Sequence, residues 1–106
     1  MSTQIEKRPG CLQATLDVLG DKWTPLILRD LTDQPATFSE LEISLVGISP
    51  RTLSQRLTRL EQQQIIARDM YCVHPPRYKY HLTSHGQELQ GILQKMAAWG
   101  ERFVRA

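Results

Sequence analysis

The sequence predicts a mostly α-helical domain that carries one small β-hairpin. Three observations lead there. Leucine and isoleucine recur at spacings of three and four through most of the chain. A single stretch after Gln64 switches to a period of two and is broken by His74-Pro75-Pro76. Helix-starting signals, Thr37-Phe38-Ser39-Glu40, Ser49-Pro50 and Thr83, stand before three of the helical stretches.

Taken in order, Leu12, Leu16 and Leu19 with Val18 predict a first helix over 11–19 that Gly20 ends. Asp21 caps a second helix over 22–31, with Trp23, Leu26, Ile27 and Leu31 on one stripe and Pro25 in the first turn, where a missing N–H costs nothing. Thr37 and Glu40 form a capping box that opens a short third helix ending at Leu45. After the tight connection Val46-Gly47-Ile48, Ser49 caps a fourth helix that runs from Pro50 to about Gln63. Its buried stripe is Leu53, Leu57 and Leu60, which turns Arg51, Gln55, Thr58 and Gln62 outward with Thr52, Ser54 and Arg59 on the flanks. Residues 65–73 and 78–82 read as two strands joined through His74-Pro75-Pro76-Arg77, with Tyr78, Tyr80 and Leu82 on one face. Thr83 caps a last helix over 84–103 whose apolar stripe is Leu89, Ile92, Leu93, Met96, Ala97 and Trp99.

These elements make one domain over 11–106, preceded by a flexible polar arm over 1–10. At 106 residues the chain has room for one modest core and little for an enclosed catalytic pocket. No nucleophile with a base, no Gly-rich phosphate loop and no paired carboxylates are evident, so the expectation is a protein that is not an enzyme and needs no cofactor. Two cysteines, Cys11 and Cys72, do not make a disulfide scaffold, and no apolar run suits export or membrane insertion; a soluble, cytoplasmic protein is expected. His81 and His85 are four apart, but a strand end and a cap separate them, which leaves a metal-responsive role as a minor alternative and no metal site among the candidates.

Charge is unevenly distributed. Residues 1–50 hold four basic and seven acidic side chains, residues 51–79 hold six basic and two acidic, and the remainder holds three and two. A positive block in the middle of a nearly neutral chain suits a surface that meets phosphate; the plain alternative is a solvated charged face. The block coincides with a short helix, a tight turn, a second helix beginning Ser-Pro and a hairpin, which is the plan of a winged helix-turn-helix.

In that plan the fourth helix enters the major groove of double-stranded DNA. Arg presents paired donors to guanine, Gln donates to and accepts from adenine, and small hydroxyl residues allow close approach. The candidate DNA-binding residues are Ser49, Arg51, Thr52, Ser54, Gln55, Thr58 and Arg59 on the helix and His74, Arg77 and Lys79 on the hairpin. Arg77 is placed to enter the minor groove or to pair with a backbone phosphate. Arg56 has two readings, a phosphate contact or an ion pair with Glu61 or another nearby carboxylate. An interaction module that binds a protein in place of DNA is the alternative from another class, and the polar outer face of the fourth helix argues against it.

The chain resembles the HxlR-type family of bacterial winged-helix regulators, which is related to the MarR regulators. The resemblance is carried by Leu16-Asp17-Val18-Leu19-Gly20-Asp21-Lys22-Trp23-Thr24, by Phe38-Ser39-Glu40-Leu41, by the run from Gly47 to Leu57, by the run from Pro75 to Gly86 and by Trp99-Gly100-Glu101. It implies a homodimeric transcription factor, paired through its first and last helices, on an inverted-repeat operator. Half-sites about one helical turn apart, roughly 34–36 Å, would then be expected. It also implies that a cysteine near the N-terminus senses electrophiles or oxidants, a role that falls on Cys11. This chain departs from the family pattern in having Leu12 in place of Pro after that cysteine and one residue fewer before Lys22-Trp23. A helix start at Cys11, or nearby Lys7 or Arg8, would favour the thiolate; the other reading of Cys11 is a small residue in the subunit seam.

Overall fold

Capping decides where the helices begin. In the computed structural model, which describes residues 3–105 and side chains from Cys11 to Arg105, the order is α1 (Thr3–Leu19), α2 (Trp23–Asp33), α3 (Phe38–Ser44), α4 (Pro50–Gln62), β1 (Ile66–Cys72), β2 (Arg77–Leu82), α5 (Ser84–Gln87) and α6 (Leu89–Gly100). A π-helical turn over Glu101–Arg105 closes the chain.

The carboxylate of Asp21 accepts from the N–H groups of Trp23 (2.8 Å) and Thr24 (2.9 Å) and from the Thr24 hydroxyl (2.7 Å), which starts α2. At α3 the capping box is complete: the Glu40 N–H donates to the Thr37 hydroxyl (3.1 Å) and the Thr37 N–H donates to the Glu40 carboxylate (2.8 Å). The Thr52 N–H donates to the Ser49 hydroxyl (3.0 Å) ahead of Pro50, which fixes the start of α4.

The end of α4 is as specific as its start. The Ile65 N–H donates to the Leu60 carbonyl and the Gln64 N–H to the Glu61 carbonyl, both at 3.0 Å, with Gln64 at a φ of 62°. This is a Schellman motif with glutamine in the left-handed position where glycine is usual. Thr83 then ties the end of β2 to this corner: its hydroxyl donates to the Gln64 carbonyl (2.7 Å) and accepts from the Gly86 N–H (3.0 Å). A Cβ at Gly86 would lie 2.1 Å from the Ile65 carbonyl oxygen, so only glycine lets α5 pass this close to the start of β1.

The leucine stripes converge on one core. Ile27 and Leu28 of α2, Leu41 of α3, Leu53, Leu57 and Leu60 of α4 and Ile66 of β1 are its fully buried side chains, with Leu19, Leu31, Leu45, Ile65 and Leu82 closing it. β1 and β2 pair antiparallel in the register Ile66↔Leu82, Arg68↔Tyr80 and Met70↔Tyr78, with a bulge between Met70 and Cys72. Tyr80 also bridges to Ala36 through two backbone hydrogen bonds (3.0 and 2.7 Å), so the α2–α3 connection adds a third, one-residue strand to the hairpin. Nothing in its sequence, Gln34-Pro35-Ala36, has strand periodicity; the bridge exists because the fold brings it to the edge of β2.

The fold class is the one the sequence predicts, with two changes of boundary. The first helix starts at Thr3 and not near Cys11, so the backbone of residues 3–10, expected as an arm, is helical. Gln4, Glu6, Lys7 and Arg8 are good helix formers, and Pro9 removes a single donor. Residues 1, 2 and 106 lie outside the described residues. The last helix divides at Glu88, whose own φ and ψ of −65° and −22° stay helical.

α6 contributes no buried residue. Leu89 and Leu93 pack against the core, but Ile92, Met96, Trp99, Phe103 and Val104 are exposed, as are Leu12 and Leu16 of α1. An open groove between α2 and α6 is lined by Pro25, Leu26, Arg29, Leu93, Met96 and Ala97. No helix among the described residues is long and apolar enough to cross a membrane.

Candidate nucleic-acid interface

α4 has three faces, and they do different work. The inner face is the leucine stripe. The outer face carries Arg51, Ser54, Gln55, Thr58 and Gln62, all exposed, and among the described residues none of them has a hydrogen-bond or ion-pair partner. These are side chains with strong donors and acceptors that the protein leaves to solvent, as a base-reading surface requires.

The third face is a flank of two arginines turned toward the α1–α2 corner. Arg56 lies 3.3 Å from Asp21 through its Nε. This resolves its two readings: the ion pair forms, with Asp21 and not with Glu61. Burial pushes the Asp21 carboxyl up, but hydrogen bonds from Thr24 and Trp23, with the charge of the nearby Arg56 guanidinium, outweigh that and hold it below the ordinary carboxylate value. Arg59 donates from its guanidinium to the Asp17 carbonyl in the last turn of α1. Arg59, grouped with the DNA-binding residues from its place on the helical wheel, is exposed and makes this contact to its own chain. The wheel shows which flank it is on but not that α1 ends beside it.

Ser49 and Thr52 are also committed locally. The Ser49 hydroxyl donates to the Thr52 hydroxyl (2.9 Å) while accepting from the Thr52 N–H, so both oxygens hold the first turn of α4 together.

The hairpin presents His74, Pro75, Pro76 and Arg77 at its tip, all exposed, with a cis bond between His74 and Pro75. Cys72 is half-buried, and its thiol donates to the His74 carbonyl at 3.7 Å. Arg77 is exposed and has no partner among the described residues. Lys79 sits opposite Asp69 with its ammonium 5.5 Å from the centre of the Tyr71 ring. Asp69 itself pairs with His81 at 3.0 Å. Arg68 lies 3.4 Å from Glu61 and over the Tyr78 ring at 4.7 Å.

Two cations of the positive block are paired with carboxylates, and a third keeps its charge while donating to a backbone carbonyl. Of its six cations, Arg56, Arg59 and Arg68 are held by Asp21, the Asp17 carbonyl and Glu61. Arg51 and Arg77 are exposed without a partner among the described residues, and Lys79 is half-buried beside the Tyr71 ring. Tyr71 is exposed beside Lys79 and reads from the sequence only as a strand residue.

Cys11 is exposed and lies inside α1, eight residues after the helix begins, with its carbonyl accepting from the Thr15 hydroxyl at 3.2 Å. The activation expected from a helix start is thus removed, because the helix dipole falls off within the first turn. Lys7 and Arg8, the other expected activators, lie outside the described side chains. Among the described residues no group of three or more His, Cys, Asp or Glu side chains is arranged to hold a metal ion.

A short helix, a tight turn, a second helix with an unoccupied polar outer face and a hairpin with a cationic tip define a winged helix-turn-helix transcriptional regulator. The chain belongs to the HxlR-like helix-turn-helix family, whose pattern matches residues 18–106. It is 37% identical to the crystal structure of the putative HTH-type transcriptional regulator YtcD, with a TM-score of 0.84 over 90% of this chain and 97% of that one. The HTH-type transcriptional regulator YodB of Bacillus subtilis is 35% identical over 92 residues, which are 87% of this chain and 82% of YodB. The redox regulator HypR in its oxidized form superimposes with a TM-score of 0.81 at 34% identity, covering 86% of this chain and 94% of HypR. YodB has also been solved in a quinone-bound form, with a TM-score of 0.75 at 34% identity over 87% of this chain and 96% of that one.

Proposed function

We propose that this regulator works as a cytoplasmic homodimer on an inverted-repeat operator, with α4 in the major groove and the β1–β2 hairpin on the minor groove or backbone. The observation that carries the reading is the outer face of α4, where Arg51, Gln55 and Thr58 are exposed and have no partner among the described residues, while the inner face is core and the flank contacts the α1–α2 corner. A protein-docking helix would present apolar anchors at these positions. One protomer spans a single half-site, and the exposed apolar residues of α1 and α6 supply a surface for the second.

Specific binding to duplex DNA, with affinity falling steeply as salt rises, tests this reading directly. Arg51→Ala or Gln55→Ala should cost about 1–3 kcal/mol on the selected site and relax base preference, whereas Arg77→Ala should weaken all sequences alike. Equal losses on selected and random DNA for all three variants would refute these roles.

The effector is a small electrophile or oxidant acting on Cys11. HypR and YodB, solved in oxidized and quinone-bound forms, support this, as does the exposure of the Cys11 thiol on the helix that carries Leu12 and Leu16. Cys11→Ser should keep operator binding and lose its response to quinone or diamide. An unchanged response would retire the assignment.

A further inference from the structure

We infer that Arg59 is a positioning residue that fixes the DNA-reading helix to the end of α1, and not a phosphate contact. The inference rests on the DNA-binding reading of α4 and adds a role within it. Asp17 lies in the last turn of α1, where carbonyls have no amide partner within the helix. A guanidinium reaching from α4 satisfies that carbonyl and places positive charge at the negative end of the α1 dipole.

The contact joins residues 42 positions apart, and it joins two elements with different tasks. α4 presents the base-reading face. α1 leaves Leu12 and Leu16 exposed and carries Cys11. One helical turn earlier on the same flank, Arg56 fastens α4 to Asp21 at the start of α2. Arg56 therefore ties α4 to the start of α2, while Arg59 reaches to the end of α1. A shift or tilt of α1 relative to the helix-turn-helix is transmitted to α4 through Arg59, which sets the spacing between two recognition helices when α1 is held against a second subunit.

The test uses wild type, Arg59→Ala and Arg77→Ala on an operator selected from random duplexes, and on variants with the half-sites moved apart by one and two base pairs. Arg59→Ala should lose about tenfold in operator affinity and discriminate poorly among the spacings, with the salt slope unchanged. Arg77→Ala should keep the spacing preference and flatten the slope by about 0.9 per protomer, as loss of one phosphate contact requires. A flattened slope with intact spacing preference for Arg59→Ala would overturn the inference, and so would wild-type behaviour in both measurements. A second measurement needs neither DNA nor a variant. Nitrogen-edited spectra of the free wild-type protein should show the Arg59 guanidinium restrained from rotation while that of Arg51 rotates freely; free rotation of Arg59 would also overturn it. Failure of the wild type to select any duplex would instead count against the DNA-binding reading.

Discussion

Trp23 and Trp99 both fall on apolar stripes, yet the two ends of the molecule treat them differently. Trp23 is half-buried against the core with the Lys22 ammonium 4.6 Å over its ring. Trp99 is 59% exposed and touches Phe103, ring centres 5.4 Å apart, on a helix with no buried residue. The helix-turn-helix half finishes its own core, whereas α1 and α6 present apolar faces that nothing among the described residues covers. Periodicity identifies an apolar face; it does not say which chain will cover it.

The largest expected effect separates these two kinds of stripe. Leu57→Ala, at a side chain 1% exposed, should cost about 2–5 kcal/mol through lost burial and the cavity left behind. Met96→Lys, at a side chain 50% exposed on α6, should leave the fold of the protomer intact and act on self-association. Urea unfolding at protein concentrations ten-fold apart checks both. The midpoint should rise with concentration for wild type and for Leu57→Ala, from a lower start in the latter, and lose that dependence in Met96→Lys. A concentration-independent midpoint for the wild type would break the comparison, since α1 and α6 would then stay uncovered in solution.

The same contrast explains what could be read from the sequence. Thr37-Glu40, Ser49-Pro50 and Thr83 act within three or four residues of themselves, so their caps are legible as patterns, and each forms. The outer face of α4 is legible for the same reason, since a helix fixes which residues oppose Leu53, Leu57 and Leu60. Contacts between distant segments are not. The pairing of Ala36 with Tyr80, of Arg56 with Asp21 and of Arg59 with the Asp17 carbonyl all depend on where one element ends beside another. A charge count over 51–79 thus overstates the surface offered to DNA. With Arg77 and Lys79 as the phosphate contacts and Arg51 on a base, the salt slope should be about −2 per protomer and not about −5.

A smaller effect tests the helix-turn-helix half alone. Asp21 and Glu40, whose carboxyls are both held below the ordinary value, lie in this half, the first through the balance of burial and hydrogen bonds described above, the second chiefly through the Thr37 N–H. A lowered folded-state pKa means that the stabilisation is complete above the ordinary value, 3.8 for Asp21, and is lost as pH falls through the lowered one. Acid should therefore loosen the start of α2 and its tie to Arg56. Asp21→Ala should cost about 1 kcal/mol near neutral pH as a lost cap and should flatten the fall in stability below pH 3.8. A fall as steep as in wild type would place the acid-sensitive group elsewhere.

The smallest effect runs in the stabilising direction. Gln64 holds a φ of 62° at the end of α4, in a region where a side chain crowds its own backbone and glycine does not. Its backbone closes the Schellman turn through the Glu61 carbonyl, and its own carbonyl receives the Thr83 hydroxyl, so the conformation is fixed from both sides. Gln64→Gly should relieve the crowding and add up to about 1 kcal/mol, less the entropy that glycine gains in the unfolded chain. The gain should appear as a higher midpoint at both protein concentrations, with the concentration dependence and operator affinity unchanged. That outcome would place the α4–β1 corner wholly within the self-sufficient half, whereas a change in self-association would show that the corner also positions α5 and α6 for their covering partner.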